Sequence, residues 1–273
     1  MHIQIQNRLQ EHLESAINTY NTDWFVICLQ GSQNYDLADE TSDIDSKLLT
    51  IPSFESLVLN KKPLSTTHVL ENDEHCDCKD VREYFKIFRK SNINFVEILW
   101  TDYWIVNPKY ADLWYELLSK REELARYNPY AAVSCMKGMA SEKLHALSHR
   151  YPSRTEYIDK YGYDPKQLSH LIRIMYFIEE YLAGSSYQDC LRLTSEEKRH
   201  TLLELKRNGL GLTEDSAKEL GKEAFAKISH LADKYRSVNK NNPDKELDEF
   251  LDDVVYRLMK RSVEKELTHG QEV

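Results

Sequence analysis

Apolar and polar residues alternate along the chain in patterns that predict helices and strands in its first part and helices alone in the remainder. Residues 1–20 repeat apolar side chains at spacings of three and four, which predicts an amphipathic helix. The continuous apolar run Trp24–Leu29 predicts a strand that is buried on both faces. Ser46–Ile51, which Pro52 ends, predicts a second strand, and beyond about Asn128 the strand signals stop.

Shorter patterns predict the remaining elements. Thr66–Leu70 and His75–Lys79 are predicted strands, Asp80 is a good N-cap for a helix over Val81–Lys90, and Asn94–Leu99 starts another short helix. Five longer helices are predicted in the second half of the chain: Tyr130–Arg150, Pro165–Ala183, Ser195–Arg207, Glu214–Tyr235 and Pro243–Leu267.

Composition adds that this is an ordinary folded protein. Its 273 residues, 41% hydrophobic and 30% charged, suffice for a well-filled core and for two domains. We predict an α+β fold, with a small mixed-sheet domain over residues 1–127 and an all-helical domain over residues 128–273. No apolar run approaches the roughly 20 residues that span a bilayer, and no secretory signal is visible at the start. We therefore expect a cytoplasmic protein without a membrane partner.

Cysteines and net charge narrow the chemistry. The five cysteines (Cys28, Cys76, Cys78, Cys135 and Cys190) are odd in number, so we predict no disulfide framework. The Cys-x-Cys pair has no second pair to complete a zinc site, and we interpret it as two buried cysteines. A net charge of −9 argues against bulk binding of duplex DNA, but it allows a small nucleotide or one nucleic-acid end in a local basic pocket.

Two carboxylates and a glycine-serine turn carry the strongest chemical signal. Asp43 and Asp45 stand two residues apart at the mouth of the second predicted strand, so both carboxylates would point to one side. Such like charges repel unless cations neutralise them, and hard oxygen ligands suit Mg²⁺, with Mn²⁺ as the alternative ion. Gly31 allows a phosphate to approach the backbone closely, and Ser32 supplies an N–H and a hydroxyl. Either motif alone is common in solvated loops; together they predict a site for a metal-bound nucleotide.

A basic stripe lies on one of the later helices. Lys166, His170 and Arg173 are spaced at i, i+4 and i+7, which places them on one face of an otherwise apolar helix. We predict that they bind the phosphates of a nucleotide or of its acceptor. The alternative is a set of interdomain salt bridges within this acidic chain, and Lys137 and Lys143 on the preceding helix are weaker candidates for the phosphate role.

The spacing of these motifs resembles the nucleotidyltransferase superfamily of DNA polymerase beta, whose members carry Gly-Ser followed by two alternating acidic residues. Gly31–Leu37 with Ser42–Asp45 is similar to the RNA-repair-pathway polymerase-beta family, which commonly reads Gly-Ser-x-x-Tyr-Gly-Leu and then Ser-Asp-x-Asp. Lys90–Glu97 and Lys166–Arg173 add further similarity, so the resemblance covers about residues 25–210.

The chain departs from that family at two positions. Asp36 stands where the family usually has Gly, which puts the conformation of the phosphate loop in question. Ile93 stands where it usually has Pro. The superfamily also uses a third carboxylate on a later strand; here Asp77 is the favoured residue and Asp80 the alternative, with Asp73 and Glu74 as outsiders.

The resemblance implies a metal-dependent enzyme that transfers a nucleoside monophosphate from a nucleoside triphosphate to an acceptor hydroxyl and releases pyrophosphate. It implies an RNA end as the acceptor, with a protein or a small molecule as the alternative, and a helical domain that closes the active-site cleft. The metal or Asp77 would deprotonate the acceptor. Two other classes compete: a non-catalytic nucleotide-binding module, and an interaction protein built on the helical half.

Overall fold

The computed structural model describes residues 2–38 and 42–269. Its strands are β1 (Asp23–Gln30), β2 (Asp45–Ile51), β3 (Ser65–Val69), β4 (His75–Asp80) and β5 (Trp104–Val106). Its α-helices are α1 (His2–Tyr20), α2 (Phe54–Val58), α3 (Val81–Phe88), α4 (Ile93–Val96), α5 (Ala111–Ser119), α6 (Arg121–Ala125), α7 (Pro129–Ala146), α8 (Thr155–Tyr161), α9 (Pro165–Ala183), α10 (Tyr187–Arg192), α11 (Glu196–Asn208), α12 (Glu214–Val238) and α13 (Lys245–His269). Five short 3₁₀ helices are Ser32–Tyr35, Glu97–Trp100, Pro108–Tyr110, Pro152–Arg154 and Gly209–Gly211.

The strands form one mixed sheet in the order β3-β4-β2-β1-β5. β1 is antiparallel to β2 and β5, β3 is antiparallel to β4, and β2 runs parallel to β4. The predicted α+β fold, a mixed sheet followed by helices, is therefore confirmed. β5 was not predicted, because its three residues are too few to show an alternating pattern.

The two faces of the sheet carry different side chains. One face packs against the apolar stripe of α1, and the side chains that form this core are Ile5, Leu9, Leu13, Ala16, Ile27, Leu29, Leu48, Cys76 and Cys78. Strand alternation turns the residues between them to the other face. Because Cys28 is paired with Lys47, and Lys47 with Asp77, these three residues share that second face with Asp45.

Contacts between Cα atoms divide the chain into two compact units. Unit 1 comprises Met1–Asn34, Ala38–Tyr127 and Pro243–Val273, and unit 2 comprises Tyr35–Leu37 and Asn128–Asn242. The predicted division of residues 1–127 from 128–273 differs from these units in two places, since α13 belongs to unit 1 and three loop residues belong to unit 2.

Apolar burial and ion pairs explain why α13 joins unit 1. Leu247, Leu251, Val254 and Leu258 lie on one stripe of the helix and are all buried. On its flank, arginines of α13 pair with acidic residues of α5: Arg257 with Glu116 at 2.5 Å and Arg261 with Asp112 at 2.6 Å. The sequence pattern shows that α13 is amphipathic, but it does not show which element its apolar stripe covers.

Unit 2 is a helical unit in which α7, α9, α11 and α12 pack together. Gly221 of α12 permits a close approach, because a Cβ atom there would lie 3.2 Å from Leu147 and 3.3 Å from Leu144 of the α7 segment. The long helices of this unit were predicted with similar bounds, whereas the short helices α8 and α10 were not. Within the described part of the chain, no helix has the length and apolar character needed to cross a membrane.

Candidate active site

The topology of unit 1 brings three of the predicted site segments to one edge of the sheet. Gln30, the last residue of β1, is paired with Asp45, the first residue of β2, because the two strands are antiparallel. The parallel strand β4 begins at the same edge and carries Asp77 opposite Lys47. The Gly31-Ser32 turn, the Asp-x-Asp motif and Asp77 therefore belong to one end of one sheet.

The glycine-serine turn has the geometry of an open phosphate loop. Gly31 adopts φ = +88°, which disfavours any L side chain, and a Cβ atom built there meets nothing within 4 Å. Asn34 closes the turn by donating its backbone N–H to the Gly31 carbonyl oxygen at 2.9 Å. The hydroxyl of Ser32 has no hydrogen-bond partner in the described part of the chain. The turn thus leaves open space and one hydroxyl for an oxygen-rich ligand.

A buried carboxylate fixes this turn from behind. Glu97 is 1% exposed, and its Oε1 atom accepts the Gly31 N–H at 3.1 Å. Sequence reasoning noted Glu97 only within the resemblance to a family. The sequence feature that indicates its role is a single carboxylate inside the apolar stretch Phe95–Trp100. A charged side chain is rarely buried without a partner, so a buried carboxylate there predicts a hydrogen bond or an ion pair.

The two aspartates of the Asp-x-Asp motif have different local structure. Asp45 begins β2, is half-buried, and accepts the backbone N–H of His75 at 3.1 Å, which ties it to the start of β4. Asp43 precedes the strand and is exposed, so strand alternation does not determine its direction. Two carboxylates at one strand mouth fit a Mg²⁺ ion that takes its other ligands from phosphates and water.

Asp77 already holds two cations. Its carboxylate lies 2.7 Å from Lys47 Nζ and 3.0 Å from Lys79 Nζ, and Lys47 is buried with its ammonium 4.2 Å from the centre of the Phe95 ring. Burial alone would raise the pKa of Asp77, but the two lysines outweigh it and hold that pKa below its ordinary value. Asp77 is therefore an anion at neutral pH and a weak base.

The arrangement of the carboxylates bears on how a metal could be held. Within residues 2–38 and 42–269, no three His, Cys, Asp or Glu side chains form a group that could hold an ion. Asp43 and Asp45 with substrate oxygens fit a single Mg²⁺ ion. Asp77 could serve as a third protein ligand only if its ion pairs with Lys47 and Lys79 were broken. The role of Asp77 as a metal ligand stays a prediction.

The rivals of Asp77 have other partners. Asp80, the last residue of β4, is paired with Thr50 near the end of β2, so it lies at the opposite edge of the sheet from Asp45. It caps α3 through the Arg82 N–H and binds the Arg82 guanidinium at 2.6 Å. Asp73 lies in the turn before β4 with φ = +64°.

A buried network that sequence reasoning missed includes Glu74. His12 of α1 is fully buried; its Nδ1 atom lies 2.9 Å from Ser46 Oγ and its Nε2 atom lies 2.9 Å from Glu74 Oε2. Arg8 donates to the same Glu74 oxygen at 2.6 Å. Burial lowers the pKa of His12, although the Glu74 hydrogen bond opposes this shift. The pKa of Glu74 is also low, because the hydrogen bonds from His12 and Arg8 outweigh its burial.

These pKa directions assign the protons of the network. A neutral His12 beside an ionised Glu74 carries its proton on Nε2 and donates it to the carboxylate. Its Nδ1 atom then accepts the Ser46 hydroxyl proton. The only sequence signal was a histidine at a position of α1 next to the apolar residues Leu9, Leu13 and Ala16.

In unit 2, the predicted basic stripe lies on α9. Arg173 is 6% exposed, and the carbon of its guanidinium lies 3.9 Å from the centre of the Tyr35 ring. Its Nε and Nη1 atoms are buried and have no hydrogen-bond partner among the described residues. Burial and the positive charges of Arg173, Lys166, Lys143 and Lys206 depress the pKa of His170 well below its ordinary value. The stripe therefore belongs to a larger cluster of cationic side chains.

The departure at Asp36 has a conformational explanation. Asp36 adopts φ = +58°, in the left-handed region that glycine enters without strain. Aspartate is one of the few other residues that tolerate this region. The loop that follows the glycine-serine turn thus has the backbone conformation that a glycine would favour, although the side chain differs.

Comparisons with known proteins give little support for an assignment. The chain matches no protein-family model and no curated protein sequence. Among solved structures, it is similar to the crystal structure of a nucleotidyltransferase-like protein from Exiguobacterium sibiricum. That match covers 83% of this chain and 74% of the other, with 15% sequence identity and a TM-score of 0.29.

Proposed function

We propose that this protein is a metal-dependent nucleotidyltransferase. The observation that carries the proposal is the edge of the sheet where the open turn at Gly31 meets Asp45, with Asp43 just before it. A positive-φ glycine with free space and an unpaired serine hydroxyl suits a phosphate chain, and two carboxylates suit the Mg²⁺ that accompanies it. A nucleoside triphosphate is the ligand that needs both.

Each residue has a definite task in this proposal. Asp43 and Asp45 hold the Mg²⁺ ion, with Mn²⁺ as the alternative, and the ion supplies charge neutralisation at the reacting phosphate. The Gly31-Ser32 turn orients the triphosphate, and Glu97 fixes the turn. Lys166, His170 and Arg173 of unit 2 contact phosphates of the nucleotide or acceptor.

Asp77 has two competing roles within the proposal. As a third metal ligand, Asp77 would break its ion pairs with Lys47 and Lys79 and bind the metal ion instead. As an ion-pair partner it would hold Lys47 in place, and its low pKa would make it a poor base for the acceptor hydroxyl. The acceptor itself is proposed to be an RNA end, with a protein or small-molecule hydroxyl as the alternative.

One observation favours a second function, a non-catalytic nucleotide-binding module. Lys47 and Lys79 neutralise Asp77, which leaves only Asp43 and Asp45 of the predicted triad for a metal. Such a module would bind a triphosphate without transferring it. Stabilisation by triphosphate that increases when Mg²⁺ is added supports the enzyme; stabilisation by triphosphate that Mg²⁺ does not increase supports the module.

The transfer reaction can be tested directly. Purified protein is incubated with each triphosphate labelled at the α-phosphate, Mg²⁺ or Mn²⁺, and total RNA. Label that enters RNA, together with released pyrophosphate, supports transfer to an RNA end. Label on the protein itself or on a small molecule supports the alternative acceptor. No transferred label with any triphosphate, metal or acceptor contradicts the enzyme and leaves the binding module.

Gly31→Val is expected to weaken triphosphate binding at least about tenfold, because a β-branched side chain would fill the open space beside the turn. The matched control is Gly184→Val: Gly184 ends α9 with φ = +87° and also has nothing within 4 Å of a built Cβ. Both variants carry a similar left-handed strain of about 1–2 kcal/mol. Titration by calorimetry that shows equal affinity in both folded variants would mean that the turn is purely structural.

A further inference from the structure

We propose that unit 2 contains a phosphate site that works without metal, formed by Arg173, His170 and Lys206 with Lys143 and Lys166 beside them. This inference rests on the proposed function for its biological ligand, which is a phosphate group of the triphosphate or of the acceptor end. It goes further by adding Lys143 and Lys206 as binding residues and by making the site independent of Asp43 and Asp45.

Arg173 gives the first reason. Among the described residues of unit 2, two arginines have their guanidinium carbon 3.9 Å from the centre of a tyrosine ring, Arg154 over Tyr157 and Arg173 over Tyr35. Arg154 is neutralised by Asp164, which it contacts at 2.7 and 2.8 Å. Arg173 makes no such pair in the described part of the chain, and two of its nitrogens are buried without a partner. A buried, unpaired guanidinium is costly, so this one is built to receive an anion.

The surrounding charges give the second reason. Lys143 comes from α7, Lys166 from α9 and Lys206 from α11, and all three repel a proton on His170. Lys206 also donates to the Leu37 carbonyl oxygen at 3.2 Å, two residues from the ring that faces Arg173. Cations from three helices thus act on one histidine. A phosphate bound at Arg173 would be attracted by these neighbouring cations as well.

His170 makes the site sensitive to pH. The cations that lower its pKa are Arg173 and Lys166 from its own helix, Lys143 from α7 and Lys206 from α11, and the carboxylate of Glu142 pairs with Lys143 at 2.8 Å. A bound anion offsets these charges and raises the pKa of His170, so binding takes up a proton. Affinity should therefore increase as the pH falls toward the pKa that His170 has in the complex. Sulfate is the suitable probe, because it does not titrate near neutral pH, and the His170→Asn variant isolates the contribution of His170.

The experiment uses the full-length protein in EDTA and measures binding of inorganic tripolyphosphate and of sulfate by calorimetry. Arg173→Gln and Lys206→Gln should each weaken tripolyphosphate binding at least about tenfold, as expected for a lost charge-assisted hydrogen bond. His170→Asn should remove the pH dependence of sulfate binding. Lys137→Gln is the matched control, since Lys137 lies on α7 like Lys143 and pairs with Asp233 at 2.6 Å but is not among the cations that lower the pKa of His170 most. If Arg173 instead has a salt-bridge role, the Arg173→Gln variant should have a lower melting temperature and an unchanged anion affinity. That result would overturn the proposal.

Two further arms separate the sources of the phosphate and the two hypotheses. If the protein binds a 5′-phosphorylated oligoribonucleotide more tightly than a 5′-hydroxyl one, the site takes the phosphate of the acceptor end. If it binds both weakly and equally but binds tripolyphosphate tightly, the site takes a phosphate of the nucleotide. Asp45→Asn should leave tripolyphosphate binding in EDTA intact. If transfer is observed but no anion binds in EDTA, this inference is wrong and the proposed function stands. If anions bind in EDTA but no transfer is observed, the proposed function is wrong and this inference stands.

Independent contacts in unit 1 carry a second inference: we infer that His12 is a positioning residue for Asp45. Its two ring nitrogens reach Ser46, the residue after Asp45, and Glu74, the residue before His75. The His75 N–H in turn donates to Asp45. His12 therefore joins the starts of β2 and β4 from inside the core, around the hydrogen bond that orients Asp45.

The test is the metal affinity, with Mn²⁺ as the probe, measured by electron paramagnetic resonance in the presence of ATP. His12→Leu should weaken Mn²⁺ binding by about tenfold, the lower end of the usual effect of losing an outer partner of a metal ligand, because His12 acts on Asp45 through Ser46 and Glu74. Ser15→Ala is the control, because it removes a 2.8 Å contact from the same helix to His68 on β3 and touches neither strand start. If His12→Leu does not fold, Glu74→Gln tests the same connection. Unchanged Mn²⁺ affinity in a folded variant of either kind contradicts the positioning role, whether or not transfer is observed.

Discussion

Asp45→Asn is expected to abolish nucleotidyl transfer and to leave the fold intact. The amide oxygen of asparagine can still accept the His75 N–H, so the hydrogen bond between the starts of β2 and β4 survives. What is lost is the negative charge that holds the cation. Because losing even an outer partner of a metal ligand costs about 10–100-fold, losing a direct ligand should lower kcat/KM at least about 100-fold.

Asp43→Asn should have the same effect on transfer with even less effect on stability, since Asp43 is exposed and precedes the strand. A matched control is Glu83→Gln, which removes one carboxylate from the surface of α3 in the same unit. Rates are compared at several Mg²⁺ concentrations, and circular dichroism confirms folding. Near-normal turnover in either aspartate variant would contradict the metal assignment.

Much of this architecture follows from side-chain periodicity. Trp24–Leu29 is a continuous apolar run and Ser46–Ile51 is a segment that Pro52 ends, and the strands found there are almost coextensive with them. The prediction was incomplete where pairing decides the structure. β5 has three residues and exists because it pairs with β1, and α13 joins unit 1 because of an apolar surface far away in the sequence.

The same limit applies to the candidate site. The Gly31-Ser32 turn and Asp45 could be predicted to meet, because two adjacent strands joined by one loop are usually neighbours. The roles of Glu97 and His12 depend on contacts between residues more than thirty positions apart, which no local pattern reveals. The pairing of Lys47 with Asp77 was hidden for a similar reason, since it requires the register of two parallel strands.

That ion pair leads to the largest stability effect we expect. Asp77→Asn should lower the free energy of unfolding by about 3 kcal/mol, because it leaves the buried Lys47 ammonium without its anion. Lys79, on the same strand, loses a partner as well. By contrast, Asp77→Asn would relieve repulsion and not destabilise the metal-free protein if the carboxylate were mainly a ligand waiting for a metal.

A double-mutant cycle with Lys47→Met separates the ion pair from the rest of the site. Removing both charges with Lys47→Met and Asp77→Asn should recover most of the stability lost in Asp77→Asn alone, since the buried Lys47 ammonium is then no longer present without its anion. The cycle is measured by urea unfolding in EDTA at pH 7.

The pKa of Asp77 is lowered in the folded state, so its contribution to the free energy of unfolding is present above the ordinary aspartate pKa of about 3.9. That contribution is lost as the pH falls through the lower, folded value. Equal stability of wild type and Asp77→Asn at pH 7 would contradict the structural role and leave Asp77 as a metal ligand.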